Sequence, residues 1–211
     1  FVAPKRYWDL YDPASLPLAE DSRPPTGGAA MGLHASFELR TRAGIPKQGP
    51  LDSSLQRKLI HGYYACISYV DAQIGKMMQA LKDTQTRRRT VIVLWGDHGW
   101  HLGEHGIWGK HALFEESLRS PLIISHPGIP SPGEPSLSIV ETLDVFPTVC
   151  ELAGLEIPDS LHGQSLLPIL KNPKTKGHPA ISYKGNAQTI RTPTHRLIVH
   201  KNGEFELYDH R

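Results

Sequence analysis

The 211 residues carry 23 basic and 21 acidic side chains, a net charge of +2, and this balance excludes the strongly basic field of a nucleic-acid-binding surface. No apolar run approaches the roughly 18 residues that mark a membrane-spanning helix, and no charged start followed by an apolar core marks a leader peptide. The two cysteines, Cys66 and Cys150, match no Cys-x-x-Cys spacing, so neither a zinc ribbon nor a dense disulfide framework is indicated.

Residues 1–50 hold seven of the 18 prolines together with Gly27 and Gly28 and lack sustained periodicity, which predicts an extended, turn-rich segment wrapped over a surface. From 51 to 120 there is no proline. Within that window Leu55, Leu59, Tyr63, Ile67, Val70, Ile74, Met77 and Leu81 recur at steps of three or four, one face of a long helix. Its methionines and tyrosines read as core filling, and Ser53 and Gln56 have capping-box spacing at its start. The triplet Arg87-Arg88-Arg89 reads as a solvated loop.

Residues 91–95 (VIVLW) form a continuous apolar, β-rich run, as expected of a strand buried on both faces of a parallel sheet. Residues 121–125 and 137–140 are weaker strands, separated by a proline- and glycine-rich loop. Residues 143–152 predict a short helix stopped at Ala153-Gly154, and residues 165–170 a further turn of helix. From His178 the pattern changes to short alternating segments, with a hairpin signal at 201–204 (KNGE). The expected class is α/β, a partial and mostly parallel sheet flanked by helices, followed by a small C-terminal antiparallel sheet. The expected organisation is a wrapping segment (1–50), the rest of an α/β domain (51–172) and the start of an antiparallel subdomain (173–211).

The chemistry concentrates after residue 95, in GDHGWHLGEHGIWGK. Ligands of open α/β folds collect beyond the carboxyl ends of strands, where Asp97 and His98 fall. A carboxylate and an imidazole there can hold a metal, hold an anion through a protonated histidine, or transfer protons; equally, Asp97 can cap a turn while His98 and the glycines satisfy a tight bend. Lys110 can reach back to bind an anionic group as a point charge, or lie on the surface with its stem packed. Glu104 and His105 brace the loop. A hard divalent cation takes about six oxygen ligands, and no Asp-Asp or Asp-x-Asp cluster supplies the rest. A complete site therefore cannot be built from this chain.

The stretch LWGDHGWHLGEHGIWGKHALFEESLRSPLIIS resembles the Asp-His-Gly-x-x-Leu-Gly-Glu-His segment of type I sulfatases, nearest the iduronate-2-sulfatase branch. The segments FVAPKRYWDLYDP, YYACISYVDAQIGKMMQAL, ETLDVFPTVCELAGL, HGQSLLPIL, IRTPTHRLIVH and ELYD resemble their counterparts in the same order, so the likeness covers essentially the whole chain. It implies the alkaline-phosphatase superfamily fold, and a reaction in which a formylglycine made from cysteine attacks the sulfur of a sulfate ester beside a calcium ion acting as Lewis acid. It makes Asp97 and His98 metal ligands and Lys110 the catalytic, sulfate-binding lysine, although an imidazole is an unusual ligand for a hard cation. Trp100, His101 and the region 191–196 read as substrate-rim contacts or, equally, as packing and solvated residues.

Departures from the family pattern bear on activity. Cys66 is followed by ISYV and Cys150 by ELAG, not by the Cys-x-Pro-Ser-Arg type of sequence that becomes formylglycine, and the early Asp-Asp ligands are absent. The chain, starting at Phe1 without Met, reads as the C-terminal part of a sulfatase, inactive without a missing N-terminal half. The expected substrate is a sulfated carbohydrate or other sulfate ester, with no nucleic acid or membrane span. The family suggests a periplasmic, secreted or lysosomal setting. Two other readings stay open, a phosphoryl or phosphonate ester hydrolase of the same superfamily and a non-catalytic sulfated-glycan-binding remnant.

Overall fold

In the computed structural model, which describes residues 1–130 and 132–211, the elements in chain order are helices α1 (Lys5–Trp8), α2 (Phe37–Arg40) and α3 (Ser53–Asp83), strands β1 (Ile92–Trp95), β2 (His101–Leu102) and β3 (Trp108–Gly109), helix α4 (Glu115–Leu118), strand β4 (Leu122–Ser125), helices α5 (Val145–Leu152) and α6 (Leu167–Lys171), and strands β5 (Ala180–Lys184), β6 (Ala187–Arg191), β7 (His195–Val199) and β8 (Phe205–Asp209). They form two compact units, one of Phe1–Arg87 with His98–Ser117, the other of Arg88–Asp97 with Leu118–Arg211. No helix of the described residues is long and apolar enough to cross a membrane.

The first unit is organised by α3. Its start is capped by Asp52, whose side chain accepts from the Leu55 amide at 2.9 Å, while Gln56 donates to the Leu51 carbonyl. The capping box expected of Ser53 and Gln56 is thus replaced by an aspartate one residue earlier, an equally good acceptor for orphan amides. A small core gathers Leu16, Leu51, Ile60 and Trp108, with Leu39, Ile45, Leu55, Leu59 and Leu102 packed against it. The proline-rich segment supplies several of these residues, which is how a stretch without periodicity becomes ordered. The α1 segment lies on α3 at Gly62, where an added Cβ would come within 3.0 Å of the Trp8 ring.

The apolar stripe of α3 is only partly core. Leu55, Leu59 and Tyr63 are half-buried, but Ile67, Val70 and Met77 are exposed. The fully covered positions are Ile60, Gly62 and Ala65. The wrapping segment reaches the first half of the helix, and periodicity alone does not say what covers the second.

In the second unit β1 pairs with β4 antiparallel, Ile92 opposite Ser125 and Trp95 opposite Leu122. The mixed helix-and-strand class and the C-terminal antiparallel sheet are as expected. The parallel pairing is not, for every strand pair among the described residues is antiparallel. The chain doubles back between β1 and β4, and a two-stranded ribbon leaves Leu94, Trp95 and Ile123 exposed where burial on both faces was expected. Residues 137–140 form no strand; the Ile139 carbonyl instead accepts from the His178 amide at 3.1 Å. The strands β5 to β8 make a meander, and the β7–β8 turn has Gly203 at φ 85°, the left-handed conformation its hairpin signal requires.

The entry to α5 is fixed by Asp144, which has 0% exposure. Its carboxylate accepts from the amides of Glu141 (2.7 Å) and Gln164 (2.8 Å) and lies 2.8 Å from His178 Nε2. Replacing the buried Asp144 by alanine removes the acceptor of two part-buried amides and the partner of His178, so denaturant unfolding should show a loss of about 2 kcal/mol. Burial lowers the His178 pKa, but the Pro179 carbonyl and the carboxylates of Asp144 and Glu141 outweigh it, and the net direction is up. A raised histidine pKa gives stability that is fully present below the ordinary histidine range and is lost as pH rises through the elevated value. Unfolding titrations should show this decline, and His178→Gln should remove it.

Candidate functional site

The loop after β1 is anchored to the start of α4 at Gly99. The Gly99 amide donates to the Ser117 carbonyl at 2.8 Å, and a Cβ there would fall 2.0 Å from the Glu116 carbonyl oxygen, so only glycine fits. This contact orients the flanking side chains. His98 Nδ1 lies 2.8 Å from the Gly99 carbonyl, which can only accept. The proton is therefore assigned to Nδ1, and Nε2 carries the lone pair, the tautomer a metal ligand needs.

Trp100 follows. Its ring is 6.1 Å from that of His98 and 5.1 Å, edge on, from Phe1, which also meets Tyr63. Lys110 Nζ stands 5.5 Å from the Trp100 ring centroid and 3.7 Å from Glu38 Oε1. The ammonium is held between an aromatic face and a carboxylate with a side-chain exposure of 30%. It is neither a fully solvated lysine nor a fully neutralised one.

These groups line one cleft of the first unit, with a cavity volume of about 780 Å³, walled also by Leu39, Arg42, Leu55, Lys58, Leu59 and Trp108. Lys58, Arg42 and Lys110 give it three cations against the single carboxylate of Glu38. An apolar wall with a few convergent charges suits an anionic ligand with a carbon skeleton. Burial, then the nearby Glu104 carboxylate, pushes the Tyr63 phenol up, so it stays a neutral hydrogen-bond donor and acceptor.

The structure thus brings His98, Trp100 and Lys110 together. Asp97 is an exposed residue two positions past β1, in the second unit. His101 does not line the cleft. It has 0% exposure, with Nδ1 3.2 Å from the Gly109 carbonyl and 3.0 Å from Ser117 Oγ, so it cannot serve as a substrate-rim contact here. The reason is strand alternation, since neighbours at the start of β2 point to opposite sides. Arg196 is likewise a buried residue of the C-terminal sheet, donating to Thr189 Oγ1. The residues that sequence reasoning missed are Glu38 and Tyr63. Tyr63 fell within the helical stripe, and no local signal marks Glu38, which arrives from the wrapping segment.

Two family models match the chain, Sulfatase over residues 9–155 and the C-terminal region of N-sulphoglucosamine sulphohydrolase over residues 103–211. A sulfatase of Formosa agariphila is 33% identical across 98% of this chain and 40% of its own length, and human iduronate 2-sulfatase is 32% identical across 75% of the chain and 34% of its length. Among solved structures, BT4656 in complex with its substrate D-glucosamine-2-N,6-O-disulfate has a TM-score of 0.69 at 32% identity, covering 74% of the chain and 35% of that protein. The phosphonate monoester hydrolase of Silicibacter pomeroyi has a TM-score of 0.78 at 28% identity, covering 99% and 47%. The chain belongs to the sulfatase family. It spans 34 to 40% of the length of the curated relatives named here.

Proposed function

We propose that this chain forms part of the active site of an enzyme that hydrolyses sulfate esters of a carbohydrate, with the sulfate bound at Lys110 and the sugar against Trp100. The observation that carries the proposal is the convergence of His98, Trp100 and Lys110 on one cleft whose cations outnumber its carboxylate. The Lys110 ammonium offers a point charge and three donors to sulfate oxygens. Glu38, 3.7 Å away, helps to hold it at the cleft.

Asp97 and His98 are assigned as two ligands of a calcium ion. His98 presents the tautomer a metal ligand needs and Asp97 a solvent-accessible carboxylate, each a donor type of the roughly six such an ion takes. When bound, calcium supplies positive charge to the sulfate oxygens. A formylglycine nucleophile would come from sequence outside these residues, because neither Cys66 nor Cys150 has the required context. This chain by itself is expected to be inactive.

A second reading, hydrolysis of phosphonate or phosphate esters, is favoured by the structural likeness to phosphonate monoester hydrolases. The two are separated by measuring kcat/KM for 4-nitrophenyl sulfate and for a phenylphosphonate monoester with the protein that includes its formylglycine-bearing segment. Preference for the sulfate supports the first reading; preference for the phosphonate supports the second.

A further inference from the structure

On the far side of the loop from Trp100, three ligand-type side chains meet without taking part in the cleft. His101, His105 and Glu116 each present one ligand atom, and these atoms lie within 4.8 Å of one another. Glu116 Oε2 is 3.5 Å from His101 Nε2 and 3.6 Å from His105 Nε2. A tetrahedral ion with bonds of about 2.0–2.2 Å to nitrogen and oxygen would set ligands roughly 3.3–3.5 Å apart, and the two carboxylate separations already match.

The protonation pattern of His101 points the same way. Nδ1 faces the Gly109 carbonyl, an acceptor only, so the ring proton sits there and Ser117 Oγ shares the contact. This leaves the Nε2 lone pair aimed at a carboxylate, and Nε2 is buried with no hydrogen-bond partner. A buried lone pair facing a carboxylate with no hydrogen between them calls for a cation. A backbone carbonyl holding the other ring nitrogen is also the usual second contact of a metal-bound imidazole. The neighbouring backbone is shaped to deliver His105, a non-glycine residue at φ 56° between Gly103 (φ 119°) and Gly106 (φ 73°). Left-handed backbone at a histidine costs stability unless its side chain is needed where it points.

We propose that His101 Nε2, His105 Nε2 and Glu116 Oε2 form a zinc site separate from Asp97 and His98, with water at the fourth position. Two imidazoles and one carboxylate suit zinc over calcium, which prefers oxygen donors. The ion ties the loop carrying Trp100 and His101 to the start of α4 and so stiffens one wall of the cleft.

The test is titration of the purified, metal-stripped protein with zinc chloride by calorimetry in the presence of excess calcium, with cobalt(II) as a spectroscopic probe. One equivalent of zinc should bind, cobalt(II) should give the intense visible bands of a tetrahedral centre, and Tm should rise by about 5 °C at a hundredfold excess over Kd. His105→Gln and Glu116→Gln should each weaken zinc at least tenfold and remove the cobalt bands. No stoichiometric uptake by the wild type, or affinity unchanged in His105→Gln, overturns the site. Because His105 is partly exposed, that variant carries the test even if Glu116→Gln fails to fold.

Discussion

In the protein that includes its formylglycine-bearing segment, replacing Lys110 by alanine should lower kcat/KM for a sulfate ester by roughly 10²- to 10³-fold, the usual cost of removing one preorganised donor aimed at developing charge. The ammonium does not gain its position from the ligand. Glu38 at 3.7 Å and the Trp100 face at 5.5 Å already hold it within the cleft. Arginine at this position should recover little, since a planar fork cannot occupy the slot of a compact ammonium between a ring and a carboxylate. Glu38→Gln tests the same geometry from the other side. It leaves the charge of Lys110 but loosens its placement, so KM should rise more than kcat falls.

With Asp97 in the proposed calcium-ligand role, its replacement by alanine in the protein that includes its formylglycine-bearing segment should reduce turnover on the order of 10³-fold, because a Lewis acid at the reacting oxygens contributes several kcal/mol to a transition state. The signature that separates a ligand from a merely structural aspartate is the metal dependence. Asp97→Ala should need far more calcium for half-maximal activity, whereas its unfolding midpoint in the absence of calcium should stay close to that of the wild type, since Asp97 is exposed. Full turnover at the wild-type calcium concentration would refute the assignment.

Much of this was legible in the sequence, and the limits have identifiable causes. The helix α3, the α5 stop at Gly154 and the β7–β8 turn at Gly203 follow from local rules, because periodicity, left-handed glycine and hairpin chemistry act within a few residues. The cap moved by one position since Asp52 and Ser53 are both capping types, and the amides of the first turn accept either. The direction of the β1 pairing was not legible, for an apolar run of five residues reports burial and says nothing of the neighbour's polarity. At the site, His101 and Arg196 are buried where rim contacts were expected, and for His101 its alternation with Trp100 at the start of β2 was the signal that would have turned it inward. Glu38 could not have been found this way. It is 72 positions before Lys110, and only the folded wrapping segment brings them together.

The covered and uncovered parts of α3 illustrate the same point about range. Ile60 is buried because Leu16, Leu51 and Trp108 pack with it, while Ile67, Val70 and Met77 lie on the apolar stripe of the same helix and remain exposed. A hydrophobic stripe states that a face can be buried, and tertiary structure decides how much of it is.

The central claim, that the cleft around Lys110 and Trp100 receives the sulfate group, is tested most directly in the protein that includes its formylglycine-bearing segment, by inhibition of 4-nitrophenyl sulfate hydrolysis by inorganic sulfate, compared between wild type and Lys110→Ala at equal calcium. Competitive inhibition by sulfate that weakens at least tenfold in the variant is the expected result. An unchanged inhibition constant in Lys110→Ala would contradict it.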